Sequence, residues 1–225
     1  MEQYKRILLK EFDSKQKVIT ELINLEAILN LPKGTELYLS DIHGEFEAFD
    51  YILRTCAGNL NEKINDCFGE DLSKAEKDKL TLLIAYPQEV LSDGFLYPLK
   101  DKRWYGEIIQ NLLTLLAFVA AKYTRSKVRK ALPPQYAYVI EELLYTDRNL
   151  PDSNIYFETI QNYLIDLGEA SQFISALAKV IRQLIIDHLH IVGDIFDRGA
   201  AADKVMNETM AYHSVDIQWG NHDII

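Results

Sequence analysis

Three short apolar segments that are typical of β-strands constrain the fold more than any other feature of the sequence. They are TELYLS (35–40), HLHIVGD (188–194) and the first part of SVDIQWGNHD (214–223). A segment with a helical pattern, DKVMNETMAYH (203–213), joins the last two through short links. A strand, a helix and a second strand joined in this way form a βαβ unit, in which the two strands are parallel. The sequence therefore predicts an α/β fold with a parallel sheet.

The remaining segments have the apolar spacing of helices. Residues 4–30 predict one helix, which the proline and glycine of LPKG end. Residues 104–132 predict one long helix that stops at a Pro-Pro pair. Residues 159–187 predict one or two further helices. Most of the chain between the first and second strands is thus expected to be helical.

This order of elements divides the chain into three predicted parts. Residues 1–58 contain the N-terminal helix and the first part of an α/β core. Residues 59–187 form a mostly helical insertion, and residues 188–225 supply the second part of the core. The insertion lies between the first strand and the other two.

Charge and composition argue against several classes of partner. The formal net charge of −10 at pH 7 disfavours general affinity for nucleic acid or anionic membranes, because both attract cationic surfaces. The N-terminal sequence MEQYKRILLKEF lacks a signal-peptide core, and the longest apolar run, LLTLLAFVAA, is about half a membrane span. Cys56 and Cys67 form no metal or redox motif and indicate free thiols in a reducing compartment. We therefore expect a cytoplasmic protein that binds neither nucleic acid nor membranes.

Each predicted strand is followed by side chains that can bind a metal ion. The three motifs are Asp41-Ile42-His43, Gly193-Asp194-Ile195-Phe196-Asp197-Arg198-Gly199 and Gly220-Asn221-His222-Asp223. Ligand sites in open α/β sheets lie beyond the carboxyl ends of the strands, so the motifs are expected to converge. Carboxylates and neutral imidazoles in such a mixed set suit Mn or Fe. D-x-H or GNHD alone is also compatible with an ordinary turn, but all three motifs after strands favour a metal site.

The residue types at these strand ends predict chemistry at phosphorus. Asp194 follows the middle strand and could bridge two ions, which when about 3.5–4 Å apart form a clamp for in-line phosphoryl displacement. Arg198 could hold a phosphate oxygen through charge-assisted hydrogen bonds. His222 could protonate a leaving alkoxide, and Asp197 could orient His222.

The motifs resemble the pattern D-x-H, GD-x-x-D-R-G, GNH-D/E of the calcineurin-like metallophosphoesterases. Longer segments resemble the class III fructose-1,6-bisphosphatases of bacteria: LNLPKGTELYLSDIHGEFEAF, KYTRSKVRKALP, AYVIEELL, DHLHIVGDIFDRG and YHSVDIQWGNHDI. This likeness runs through nearly the whole chain, including the helical insertion. It implies a calcineurin-like core of sheet and helices, a dinuclear Mn²⁺ centre, and hydrolysis of fructose 1,6-bisphosphate to fructose 6-phosphate in gluconeogenesis.

The resemblance also implies a set of metal ligands. Asp41, His43 and Asp194 would hold one ion, and Asp194 and Asn221 would hold the second. The family supplies further histidine ligands to the second ion from downstream strands, whereas this sequence stops at Ile225. We therefore expect the chain to be an N-terminal fragment of a longer protein, with an incomplete core.

For catalysis, the resemblance implies that His222 is an acid or transition-state stabiliser, that Asp197 supports it and that Arg198 binds phosphate. One departure from the family follows this motif, where AAADK replaces an expected stretch with glycine and proline. The alanines remove no ligand but leave the turn less rigid. Two alternatives stay open: a phosphoprotein or nucleotide phosphoesterase with the same metal core, and a catalytically incomplete fragment.

The other histidines and a basic cluster have less specific patterns. His188, His190 and His213 lie where structural roles are expected, away from positions that could replace the missing ligands. The basic cluster could bind the second phosphate of the substrate or an anionic effector, or could form a solvated helix face. Assembly into a homo-oligomer is left open by the sequence. The members of the basic cluster are Lys122, Arg125, Lys127, Arg129 and Lys130.

Overall fold

The structure, a computed structural model, describes residues 2–92, 97, 100–146 and 152–224. Parts of the predicted insertion (93–96, 98–99 and 147–151) lie outside the described residues, as do Met1 and Ile225. The strands are β1 (Glu36–Leu39), β2 (His188–Val192) and β3 (Val215–Gln218). The helices are α1 (Glu2–Glu11), α2 (Lys15–Asn30), α3 (Phe46–Arg54), α4 (Asn59–Phe68), α5 (Lys74–Ala85), α6 (Pro87–Ser92), α7 (Lys102–Ala120), α8 (Arg125–Ala131), α9 (Ala137–Tyr145), α10 (Ser153–Asp166), α11 (Ala170–Ile185) and α12 (Ala202–Ala211). Short 3₁₀ turns cover Cys56–Gly58 and Asn221–Asp223.

The three strands form one parallel sheet in the order β1-β2-β3. Tyr38 of β1 lies opposite His190 of β2, and His190 lies opposite Asp216 of β3. The α12 helix connects β2 to β3, which confirms the predicted βαβ unit. All three strands therefore end at the same edge of the sheet.

The two faces of this sheet differ in polarity. One face contributes Leu189 and Ile191 to a small core with Phe49 of α3 and Val205 of α12, all almost fully buried. The opposite face is polar and carries Glu36 and Tyr38 of β1, His188 and His190 of β2, and Asp216 of β3. Side chains alternate between faces along a strand, so the alternating sequences of the strands specify this division. Parallel sheets are usually apolar on both faces, which makes the polar face unusual.

A second and larger apolar core is formed mainly by helices. The α7 and α11 helices pack together at its centre, where Leu112, Leu116, Leu177 and Ile181 are all 0% exposed. Its buried members fall between Cys56 and Ile186, close to the bounds of the predicted insertion. The mixture of many helices with a small parallel sheet agrees with the predicted α/β class. That residues 59–187 are an insertion into an α/β core stays a prediction.

Two of the predicted single helices are each divided in the structure. The helix predicted at 4–30 is α1 and α2, and the one predicted at 104–132 is α7 and α8. The Ser14 and Thr124 side chains each accept a hydrogen bond from the backbone N–H three residues later, so each caps the start of a new helix. Apolar spacing continues across both breaks, which is why the periodicity did not show them.

The α2 helix lies outside both cores. None of its residues is buried, and Ile19, Leu22 and Ile23 are 55–63% exposed. These three apolar side chains are therefore more than half exposed to solvent. In the part of the chain that the structure describes, no helix is long and apolar enough to cross a lipid bilayer.

The helical core generates a prediction about stability. Replacing Leu177, which is 0% exposed, by alanine should lower the free energy of unfolding by about 2–5 kcal/mol because it leaves a cavity. The same change at Leu167, which is 77% exposed, should alter it by less than about 0.5 kcal/mol. Urea denaturation followed by circular dichroism measures both variants. Equal losses would contradict the assignment of Leu177 to a packed core.

Candidate metal centre

Backbone hydrogen bonds join the segments that follow β1 and β2. The His43 N–H donates to the carbonyl oxygen of Asp194, and the Gly44 N–H donates to that of Ile195, each at 2.8 Å. The Gly199 N–H donates in return to the carbonyl oxygen of His43 at 2.6 Å. Two motifs that are far apart in the sequence are thereby held together as one surface.

Asp41, His43 and Asp194 form a group that could hold a metal ion. One ligand atom from each side chain lies within 4.8 Å of the other two. The His43 ring is buried, and its Nε2 lies 3.8 Å from Asp41 Oδ1. Its Nδ1 lies 3.1 Å from the carbonyl oxygen of Phe196, so the tautomer with the proton on Nδ1 donates there and leaves the Nε2 lone pair for a metal. Two carboxylates and an oriented imidazole fit a divalent ion.

The backbone around these side chains adopts a rare conformation. Positive φ angles occur at Asp41 (55°), His43 (49°), Asp194 (58°), Asp197 (68°) and Arg198 (83°). Left-handed backbone is unfavourable for residues with a Cβ, and such residues cluster at functional sites where surrounding structure holds them. The strain is concentrated in the two motifs that supply the candidate ligands and their neighbours.

Close backbone contact explains two of the glycines. A Cβ atom added to Gly199 would lie 2.5 Å from the His43 carbonyl oxygen and 2.6 Å from the Gly44 carbonyl carbon. No side chain fits there, so both glycines are required by the approach of the two segments. The alanines that follow are accommodated, because the Ala201 N–H donates to the Gly44 carbonyl oxygen at 3.3 Å just before α12 begins.

The Asp223 carboxylate joins the segments that follow β2 and β3. It accepts hydrogen bonds from the backbone N–H groups of Asp194, Ile195 and Gly220 at 2.8 Å and of Phe196 at 3.1 Å. Burial raises the pKa of this carboxyl group, but the four bonds outweigh burial and hold the pKa below its usual value. Asp223 has no role of its own among the sequence-based predictions, although its place in the GNHD motif was the available signal.

The other residues of the third motif face the same centre. His222 Nδ1 lies 3.0 Å from Asp197 Oδ2, and the His222 ring contacts the His43 ring edge-to-face at 5.2 Å. The backbone N–H of His222 donates to Asp194 Oδ1 at 3.1 Å. Asn221 is exposed at the start of the same 3₁₀ turn. The structure thus brings His222 beside both Asp197 and the three-residue ligand group.

Arg198 lies next to Asp197 and is exposed. Its backbone φ of 83° belongs to the strained segment that follows β2. Binding of a phosphate oxygen by Arg198 stays a prediction.

Part of the basic cluster lies at the amino-terminal ends of the strands, whereas the candidate metal centre lies at their carboxyl ends. Lys127 Nζ lies 2.6 Å from an oxygen of Asp187, which directly precedes β2, and Lys122 Nζ lies 3.3 Å from Thr35 Oγ1, which directly precedes β1. The candidate ligands follow the strands instead. A strand of five residues is about 16 Å long, so the two edges are well separated.

The remaining members of the basic cluster have contacts of their own. Arg129 Nε lies 2.7 Å from Glu141 Oε1, and the Arg125 guanidinium lies 5.0 Å from the centre of the Tyr145 ring. Lys130 lines a cavity of about 340 Å³ beside the start of β2. These positions favour structural roles, and binding of a substrate phosphate by the cluster stays a prediction.

The remaining histidines hydrogen-bond within the fold. His213 Nε2 donates to the Asp187 carbonyl oxygen at 3.1 Å, and burial lowers the pKa of His213. His188 and His190 lie on the polar face of the sheet, where His190 Nδ1 is 2.8 Å from Asp216 Oδ1. None of the three belongs to the ligand group of Asp41, and a purely structural role for them stays a prediction.

The bonds of Asp223 generate a prediction about pH. Because its pKa is lower in the folded chain, its stabilising effect is complete above the ordinary carboxyl pKa of 3.8 and is lost as the pH falls through the folded-state value. Asp223→Asn should therefore lower the free energy of unfolding by about 1–2 kcal/mol at pH 7, since the site is partly solvated. The difference from the unmodified chain should shrink towards pH 3.

Urea titrations at several pH values measure this effect, with Asp78→Asn as a control. Asp78 is an exposed carboxylate on α5, so its replacement should leave stability nearly unchanged at every pH. A loss in Asp223→Asn that does not depend on pH would contradict the role of the charged carboxylate.

The family model and three curated relatives that match this chain all carry the name fructose-1,6-bisphosphatase. The family model described as Firmicute fructose-1,6-bisphosphatase matches residues 3–225. Proteins named fructose-1,6-bisphosphatase class 3 are 67% identical in Streptococcus gordonii, 51% in Listeria monocytogenes and 47% in Staphylococcus haemolyticus. These matches cover 99–100% of this chain but 34–35% of each relative, so the chain spans about a third of their length. No solved structure matches the chain.

A match to nearly every residue, including the helical segments between β1 and β2, extends the likeness far beyond the three strand-end motifs. The chain belongs to the Firmicute fructose-1,6-bisphosphatase family.

Proposed function

We propose that this chain supplies the metal-binding core of a phosphomonoesterase that converts fructose 1,6-bisphosphate and water to fructose 6-phosphate and phosphate, as a step of gluconeogenesis. The position of Asp194 carries the proposal. Its carboxylate is grouped with Asp41 and His43, while its Oδ1 also accepts the His222 N–H at 3.1 Å. The middle strand thus delivers one carboxylate to the junction of all three motifs. The substrate is suggested by the names of the relatives.

The proposed centre would hold two Mn²⁺ ions. Asp41, His43 and Asp194 would hold the first, and Asp194 and Asn221 would hold the second. Carboxylate, amide and imidazole donors of this kind suit Mn²⁺. Two such ions would polarise the phosphoryl group, activate water and stabilise the leaving oxygen. The oriented Nε2 of His43 and the exposed carboxylate of Asp41 support this assignment.

The protein groups around the centre then complete the chemistry. His222 delivers a proton to the leaving alkoxide of the sugar, since Asp197, 3.0 Å from Nδ1, holds the ring and stabilises its charged form. Arg198 binds non-bridging phosphate oxygens through charge-assisted hydrogen bonds. In this proposal residues 1–58 and 188–225 build a calcineurin-like core, which the helices of residues 59–187 interrupt. A cytoplasmic location and homo-oligomeric assembly remain predictions from the sequence.

A second candidate is a chain that binds one ion and is catalytically incomplete. The specific observation in its favour is the uneven ligand supply. Three side chains, Asp41, His43 and Asp194, are assigned to the first ion, and their ligand atoms lie within 4.8 Å of one another. Only Asp194 and Asn221 are assigned to the second ion. The two candidates differ in whether the chain alone can turn over substrate.

The ligand assignment predicts the effect of two matched substitutions on Mn²⁺ binding. Asp194→Asn removes a charged ligand and should weaken Mn²⁺ binding by at least about tenfold. Asp197→Asn makes the same change in charge three residues away, outside the ligand group, and should leave the affinity nearly unchanged. Titration of free Mn²⁺ by electron paramagnetic resonance measures both. Equal weakening by the two variants would contradict the assignment.

The proposed activity is tested by phosphate release from fructose 1,6-bisphosphate in the presence of Mn²⁺. We expect release by the unmodified chain, none from Asp194→Asn, and a loss of about 10²–10⁴-fold in His222→Asn. Phosphoserine peptides and nucleoside monophosphates in parallel assays should release less phosphate. Release that persists in Asp194→Asn would contradict the proposed centre. No release from any substrate, with Mn²⁺ binding intact, would favour the incomplete chain.

A further inference from the structure

A second group of potential metal ligands lies on the polar face of the sheet. His188 and His190 of β2 and Asp216 of β3 each place a ligand atom within 4.8 Å of the other two. His188 Nε2 lies 3.2 Å from Asp216 Oδ2, and His190 Nδ1 lies 2.8 Å from Asp216 Oδ1. This group is separate from that of Asp41, because its residues lie within or beside the strands rather than beyond their carboxyl ends.

The register of the sheet makes this arrangement rigid. His190 and Asp216 are directly opposite one another on neighbouring strands, and His188 lies on the same face two residues before His190. The His190 ring also stacks on Tyr38 of β1, with ring centres 4.2 Å apart and planes within 13°. A side chain fixed by its strand and by a stacked neighbour needs little rearrangement to bind a ligand.

The ring nitrogens that face away from Asp216 each lie near an oxygen atom. His188 Nδ1 lies 2.7 Å from Ser214 Oγ, which leaves Nε2 directed at the Asp216 side. His190 Nε2 is buried and makes no hydrogen bond to the described residues, but a carboxylate oxygen of Glu36 lies 3.4 Å away. Metal-binding histidines almost always donate their second N–H to an oxygen, which fixes the tautomer and ring orientation.

The unpartnered, buried Nε2 of His190 is the polar atom that the hydrogen bonds of this face leave unsatisfied in the described part of the chain. Asp216 meanwhile faces both imidazoles, at 2.8 Å from His190 Nδ1 and 3.2 Å from His188 Nε2. If both histidines turn a lone pair towards a cation, the remaining N–H of His188 is placed to donate to Ser214 Oγ. The remaining N–H of His190, on the buried Nε2, has the Glu36 carboxylate 3.4 Å away as a nearby countercharge.

We propose that His188 Nε2, His190 Nδ1 and one oxygen of Asp216 bind a single Zn²⁺ ion. Two imidazoles and one carboxylate form a common zinc donor set, and solvent would complete a tetrahedral site because the Asp216 side chain is 60% exposed. The ion joins β2 to β3 on the face opposite the small apolar core. It therefore stabilises the sheet on which the candidate metal centre is built.

The test uses the Asp194→Asn chain, in which the candidate metal centre has lost a ligand. Zn²⁺ bound per chain is measured by equilibrium dialysis, and Co²⁺, which replaces Zn²⁺, reports the coordination geometry by visible absorption. We expect one Zn²⁺ per chain, a Co²⁺ spectrum of tetrahedral type and a higher Tm in the presence of Zn²⁺. Adding Asp216→Asn should weaken Zn²⁺ binding at least tenfold and abolish the shift in Tm.

Asp203→Asn in the same background is the matched control, because it removes an exposed carboxylate on α12 and should leave Zn²⁺ binding unchanged. His190→Gln provides a second ligand variant, with circular dichroism to verify that each variant is folded. The proposal is overturned if the Asp194→Asn chain binds no Zn²⁺. It is also overturned if folded Asp216→Asn and His190→Gln variants bind Zn²⁺ as tightly as the control.

Discussion

The parallel pairing of β2 with both of its neighbours is the constraint on which the candidate metal centre depends. This pairing places the ends of three strands, drawn from distant parts of the sequence, at one edge of the sheet. Backbone bonds between His43 and Asp194 then join the first two segments, and the Asp223 carboxylate joins the second to the third. The ligand side chains are thus positioned by main-chain geometry, which can support the left-handed backbone at Asp41, His43 and Asp194.

Most apolar burial lies in the helical core, whereas the candidate metal centre lies at the ends of the strands. Among the described residues, most of the fully buried side chains belong to the helical core around α7 and α11, whereas the sheet has a small core of six buried residues. A sheet with so little apolar burial depends more on specific polar contacts, such as the four bonds of Asp223 and the His190–Asp216 contact. Polar contacts that bridge strands are therefore central to the stability of this part of the fold.

Features set by local pattern could be predicted from the sequence, and features set by tertiary geometry could not. The strands and the convergence of Asp41, Asp194 and His222 followed from short apolar segments with polar residues at their ends. The two helix breaks were not predicted, because a capping serine or threonine cannot be told from other polar residues in the sequence pattern. The acceptor role of Asp223 depends on where four N–H groups point, and the grouping of His188 with Asp216 depends on strand register. Neither is encoded in the spacing of residues.

The central claim is that the ends of β1 and β2 assemble a metal site around Asp194. Crystals of the chain grown with Mn²⁺ and measured near the manganese absorption edge test it most directly. We expect an anomalous peak within coordinating distance of Asp41, His43 and Asp194. A well-ordered crystal that lacks a peak there, or has its strongest peak elsewhere, would contradict the account.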